Sequence, residues 1–207
     1  MEKRTKPLWK ILRVGLPLLC LLACGKEEVL SPRHYVAWVK DPQHGLKLEK
    51  RIDPYAFEIQ YKPLEYIAAL EARQESLSGD WVAQRRSELG EDLEYYNFRI
   101  APAAGQQNVL MQAAQDENEY YQMIDYFSYA AKSDFYLLHG RDTAHCVLYQ
   151  FVRNYELAPH LEMTMAFEHR GTGDKTFVFD DPILRVGVVK ATIEQQKINQ
   201  LPKLKTN

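Results

Sequence analysis

Five side chains capable of acid-base, nucleophilic or metal chemistry fall between positions 134 and 146: Asp134, His139, Asp142, His145 and Cys146. They surround a turn expected at Gly140-Arg141-Asp142. A hairpin could bring His139 and His145, six residues apart, together with Asp142 as three metal ligands. It could equally leave them solvated, the commoner fate of His and Asp beside a turn. Neighbours on a strand point to opposite faces, so His145 and Cys146 are not expected to pair as base and nucleophile. His160, after Ala158-Pro159, and His169 complete no zinc-ligand spacing. The sequence therefore offers His139, Asp142 and His145 only as a weak metal set, assigns no catalytic residue and calls for no cofactor.

The short catalytic signatures are missing as well. There is no Gly-x-Ser-x-Gly, Ser-x-x-Lys or His-Glu-x-x-His, and ten glycines form no phosphate-cradling loop. Thirteen Tyr, eight Phe and three Trp are more suggestive, because Tyr combines apolar area with a polar tip. The same residues build strands. The adjacent pairs Tyr95-Tyr96 and Tyr120-Tyr121 stand out, since two neighbours on a strand cannot both face one core, and these four are the candidate ligand-binding residues.

The elements that would position these groups follow from periodicity. Tyr35 to Val39 reads as a short strand entering a hairpin at Asp41-Pro42-Gln43-His44-Gly45. Period-two alternation follows in 46–51 and 57–62. Leu64, Ile67, Ala68 and Leu70 recur at helical spacing behind Pro63. A second helical piece is expected from Trp81 to Leu89, with Asp80 as its cap and Gly90 as its stop. Tyr96 to Ile100 alternates as a strand, 103–108 reads as a loop, and Asp116 or Asn118 begins a helix through Phe127. From Asp134 onward short strands alternate with turns about every ten residues. The pattern predicts an α+β fold: an antiparallel β-sheet or sandwich, with about two helices inserted in the middle of the chain. Residues 34–207 are expected to form a single domain, its 134–193 part mostly β.

The first 28 residues carry the address. Lys3, Arg4, Lys6, Lys10 and Arg13 precede or enter an apolar run from Ile11 to Ala23, which is too short and too broken by Arg13 and Pro17 for a spanning helix. The basic residues lie on the side that stays in the cytoplasm, which orients the chain for export. Leu21-Leu22-Ala23-Cys24 resembles the lipobox of bacterial lipoproteins, and the resemblance covers this targeting segment alone. It implies that 1–23 is a removed signal peptide, that Cys24 becomes the acylated amino terminus, and that 24–33 is a lipidated tether. One acyl chain holds a protein marginally, whereas two or more anchor it stably. Gly25-Lys26-Glu27-Glu28 resembles the Lys-acidic tag of surface-exposed Bacteroidota-type lipoproteins.

Removal of residues 1–23 takes five of the 26 basic residues and one of the 28 acidic ones, so the net charge becomes −6 in place of −2. That balance, with no basic run longer than a pair in the mature chain, excludes nucleic acid as an expected partner. Cys24 carries lipid and Cys146 stands alone in an apolar run, so no intramolecular disulfide is expected and Cys146 reads as a core residue. The expectation is a non-enzymatic lipoprotein at the cell outer membrane, periplasm-facing or surface-exposed, that binds or assembles with an envelope protein complex. Two rivals are an envelope hydrolase or metal-dependent enzyme with a non-local site, for which His139, Asp142 and His145 with His160 or His169 are the candidates, and a glycan-binding surface lipoprotein.

Overall fold

The computed structural model describes residues 28–72, 76–105, 107–152 and 158–207; Cys24 lies outside them. In chain order the elements are β1 (Val29–Leu30), α1 (Pro32–Lys40), β2 (Lys47–Ile52), β3 (Tyr55–Lys62), α2 (Leu64–Ala72), α3 (Gly79–Leu89) and β4 (Leu93–Pro102). Then come α4 (Val109–Ala113), α5 (Glu117–Asp125), β5 (Phe135–His139), β6 (Asp142–Val152), β7 (Leu161–Glu168), β8 (Lys175–Asp180), β9 (Val188–Ile193), α6 (Gln195–Ile198) and β10 (Lys203–Leu204). The fold is α+β. Eight strands form one antiparallel sheet in the order β2-β3-β4-β7-β6-β5-β8-β9. The sheet curls until its two edges approach, where Lys50 Nζ on β2 donates to the Lys190 carbonyl on β9 at 3.4 Å.

Alternation explains the curl and the core. Phe57, Ile59 and Tyr61 on β3 stand opposite Ile100, Phe98 and Tyr96 on β4. Those in turn oppose Leu161, Met163 and Met165 on β7. Phe135 and Leu137 oppose Phe179 and Phe177. All lie on the concave face and all but Tyr61 are buried. Phe98 alone has ring contacts with Phe57, Phe135, Phe177 and Phe179 at centroid separations of 5.3–5.9 Å. An eight-stranded barrel is just wide enough for side chains to fill it, and aromatics fill this one. A bulge between Cys146 and Leu148 adjusts β6.

Helices pack outside and at the ends. α2, with Pro63 before it, matches the sequence expectation, and α3 ends at Gly90, whose φ of +88° suits a residue without Cβ. Ser78 rather than Asp80 caps α3, its hydroxyl accepting the Trp81 N–H at 3.2 Å. Asp116 caps α5 by accepting the Glu119 N–H at 2.8 Å. The stretch read as a loop leads straight into α4, where Asn108 caps by accepting the Leu110 N–H.

The segment Tyr35 to Val39 is helical, which corrects the expected strand. Ser31 holds the extended N-cap conformation, Pro32 occupies the first turn, and Pro32, Tyr35 and Val39 bury one helical face. The aromatic and β-branched content of this segment favours a strand, but packing against the barrel overrides it. The span read as tether also contains a strand, since Val29–Leu30 pair in parallel with Lys203–Leu204.

Candidate functional site: a charged rim on an aromatic barrel

The inward rows that are apolar through the barrel turn polar at one end. On β4 the row Ile100, Phe98, Tyr96 ends in Glu94. On β5 the row Phe135, Leu137 ends in His139. On β8 the row Phe179, Phe177 ends in Lys175. Continuing the β5–β8 register by one step sets His139 against Lys175. His169, just past β7, pairs by its N–H with the Asp92 carbonyl at 2.7 Å, which brings it beside the start of β4.

Glu94 and Lys175 are 3% and 2% exposed, and their Oε1–Nζ distance is 2.8 Å. The same Oε1 accepts from His169 Nδ1 at 2.5 Å, and the Tyr96 hydroxyl donates to Oε2 at 3.4 Å. A charge this deep persists only when paired and hydrogen-bonded, and Glu94 meets that condition from three sides. Burial, then the carboxylate of Glu94, pushes the Tyr96 phenol far above its ordinary value; Tyr61 rises for the same two reasons.

His139 differs from its neighbours. It is 8% exposed and neither ring nitrogen has a hydrogen-bond partner. Burial lowers its pKa, Glu94 raises it, and Lys175, His169 and Arg170 lower it further. Such a ring stays neutral, because a second cation beside Lys175 would be desolvated and repelled.

The Glu94–His169 pair can hold the imidazole as its Nδ1–H tautomer and turn Nε2 outward, the orientation that makes a histidine a proton acceptor. No hydroxyl or thiol among the described residues is hydrogen-bonded to His169. The pair therefore lacks the nucleophile of a triad. Lys175 supplies the cation that Glu94 requires, and no group of three or more His, Cys, Asp and Glu suited to a metal occurs among the described residues.

The residues singled out in the sequence are dispersed. His139 is at the rim. Asp142 lies opposite it in the β5–β6 pair but is exposed, and His145 sits on the outer face opposite Tyr136. His160 Nδ1 is 3.1 Å from Arg99 Nη2, on the outer face of the sheet. Cys146 is buried and its thiol is pushed up to about 11, mainly by burial. Tyr95 and Tyr96 are 7% and 0% exposed. Tyr95 meets the Leu89 carbonyl through its hydroxyl at 2.7 Å, so α3 covers one of the pair while the other faces the barrel interior. Neither ring offers a face to a ligand.

Tyr120 and Tyr121 are placed otherwise. Both are on α5, edge to face at 5.5 Å. Tyr121 is 55% exposed and Met111 on α4 is 49% exposed. They line a shallow cleft of about 380 Å³ whose edges carry Gln107, Asp116 and Glu117. Short helix α4 completes this cleft, and its absence from the sequence expectation hid the wall beside Tyr120 and Tyr121, two residues the sequence had singled out. Glu94 and Lys175 were missed for another reason: a charged residue at the end of an alternating row reads as a strand terminus. The visible signal is that Glu94-x-Tyr96-x-Phe98 and Lys175-x-Phe177-x-Phe179 keep period two.

No protein-family model matches the chain, and no curated protein matches it. Among solved structures, a protein of unknown function from Burkholderia pseudomallei is similar at 9% identity. The match covers 84% of this chain and 94% of that one, with a TM-score of 0.40.

Proposed function

We propose that this chain is a lipoprotein held at the outer membrane through acylated Cys24, where it works as a non-enzymatic binding or assembly module for an envelope partner. The observation that carries the reading is the run Leu21-Leu22-Ala23-Cys24 behind five basic residues and a short apolar segment. Two structural facts are consistent with a binding role. The barrel interior is filled with aromatic side chains, so recognition falls to the outer surface, and no hydroxyl or thiol among the described residues is hydrogen-bonded to His169. Lipid anchoring raises the effective concentration of such a module beside a membrane partner.

A second reading, glycan binding by a surface lipoprotein, is favoured by the α4–α5 cleft, where exposed Tyr121 and Met111 sit among Gln107, Asp116 and Glu117. Metabolic labelling with an alkyne fatty acid, in cells making the native chain or Cys24→Ala, tests the anchor. Label on the native chain alone, together with its membrane fractionation, is expected. An unlabelled, soluble native chain would overturn the reading. In-cell crosslinking of the same two forms then separates the roles: a stoichiometric envelope protein recovered with the lipidated form alone indicates assembly, and an isolated protein indicates ligand binding.

A further inference from the structure

The cleft between α4 and α5 is apolar and acidic at once. Half-exposed Met111 and Tyr121 line it together with Ala114. Asp116 and Glu117 belong to the same lining, and no Lys, Arg or His does. The imbalance extends along the chain: residues 103–131 hold Asp116, Glu117, Glu119 and Asp125 and not one basic residue.

The neighbouring stretches do not redress it. The loop between β8 and β9 supplies Arg185, which pairs with Glu119 and donates from Nη1 to the Gln115 side-chain oxygen at 3.0 Å. The same loop carries Asp181 and follows Asp180. The connection between β6 and β7, whose Pro159 carbonyl accepts the Val109 N–H at 3.0 Å, contains Arg153 and Glu156, one charge of each sign. Arg99 is held by His160 and stands between Glu58 and Glu162 in the strand register. Lys132, just past the span, donates to the Val147 carbonyl at 2.8 Å. Glu117 and Asp125 are exposed and have no ion pair among the described residues. Asp125 follows Tyr121 by one helical turn, so the two share a face of α5.

Exposed apolar side chains inside a negative surround select their complement. A Lys or Arg can lay its aliphatic stem along Met111, whose flexible thioether adapts to what it meets. Its charge then lies over the Tyr121 ring or against Glu117. A neutral sugar would use the ring and leave both lining carboxylates without a counter-charge, and an acidic one would be repelled.

We propose that the α4–α5 cleft docks a basic, apolar peptide segment of a protein partner, with a Lys or Arg seated on Met111, Tyr121 and Glu117. The inference rests on the reading of the chain as an assembly module and names the chemistry of its partner. Electrostatic complementarity of this kind speeds encounter and fixes register, and salt weakens it.

The test uses the processed full chain in detergent micelles, with intact mass reporting acyl chains on Cys24. A bead-displayed library of short random peptides is selected on the native chain, and the selected peptides are measured by fluorescence anisotropy on Glu117→Lys and on Tyr121→Ala. Asp116 is left in place because it caps α5, and an unchanged unfolding midpoint confirms that each variant is folded. Selected peptides rich in Lys or Arg beside Leu, Met or aromatic residues are expected. Their affinity should fall at least about tenfold in each variant, a loss of about 1.4 kcal/mol, and should weaken as salt rises. Failure to select any peptide, a selected set without basic bias, or equal binding to the native chain and both variants overturns the proposal. Oligosaccharide binding at Tyr121 with no peptide selected overturns it in favour of the glycan reading. Acyl mass with no basic peptide selected overturns the docking surface while the anchor stands; a cleft-dependent basic peptide on a chain without acyl mass upholds the docking surface while the anchor falls.

Discussion

The rim and the α4–α5 cleft handle mismatched chemistry in opposite ways. At the rim, charged groups are buried at the end of an apolar barrel and are satisfied from within: Glu94 by Lys175, His169 and Tyr96. At the cleft, apolar side chains are exposed at the end of short helices, and Met111 and Tyr121 remain half in water. The rim is built from strands held by long-range pairing, the cleft from five- and nine-residue helices held by caps at Asn108 and Asp116. Buried charge that is completely paired serves architecture first. Exposed apolar surface beside polar groups is what a binding module presents to a partner.

The contrast breaks most sharply if Glu94 is removed. Glu94→Ala leaves buried Lys175 without its anion and His169 without its acceptor, and breaking one partner of a buried pair costs about 3–5 kcal/mol. Urea unfolding should show that loss as a lower midpoint. The double change Glu94→Leu with Lys175→Met should cost less than Glu94→Ala alone, because an apolar replacement of the whole pair leaves no orphan. A double variant as damaged as the single one would mean that the rim acts through something other than charge pairing.

His139 gives a smaller, pH-dependent effect. Its pKa in the fold lies below the ordinary His value of about 6.5, so below that pH the unfolded chain binds the extra proton more readily than the native one. Stability contributed by neutral His139 is complete above about pH 6.5 and is lost as pH falls from there through the lower folded value. The slope it adds is at most about 1.4 kcal/mol per pH unit. The charged groups facing it are Glu94, Lys175, His169 and Arg170, and these stay in place in His139→Leu. That variant should flatten the fall between pH 6.5 and 5 in chemical unfolding. An unchanged slope would show that His139 finds a partner or water in solution.

How legible these regions were in the sequence follows from how local their determinants are. The barrel strands announced themselves: Phe57-Ile59-Tyr61, Tyr96-Phe98-Ile100 and the turns after 134 are period-two patterns, and an antiparallel sheet follows from them. The order of those strands did not, because it depends on which faces pair across more than a hundred residues, as when Lys50 meets Lys190. Tyr35 to Val39 misled because its composition suits a strand, while the Ser31-Pro32 start and the Tyr35/Val39 spacing suit a helix, and the barrel surface decides. The rim was invisible because Glu94, His139, His169 and Lys175 are separated by up to 81 positions in sequence and converge only once the sheet curls. The sequence offered His139 and His169 from that set but joined them to exposed Asp142 and to His145, which the strand sends to the opposite face.

The smallest effect on the fold is expected at the cleft, and it sharpens the comparison most. Tyr121 is 55% exposed and Met111 is 49% exposed, so Tyr121→Ala or Met111→Ser should shift unfolding free energy by no more than about 0.5 kcal/mol, the range of surface substitutions away from special features. Their effect belongs to recognition. If the glycan reading holds, a panel of envelope and extracellular oligosaccharides contains a ligand for the native chain, and Tyr121→Ala reduces its binding at least tenfold while Glu94-dependent stability is untouched. Loss of an aromatic contact of about 1.4 kcal/mol corresponds to that factor. If no oligosaccharide binds, yet Tyr121→Ala abolishes an in-cell crosslink to an envelope protein, the cleft is a protein-docking surface and the glycan reading falls. If Tyr121→Ala changes neither, the exposed tyrosine is ordinary surface and the weight shifts from the cleft to the rim.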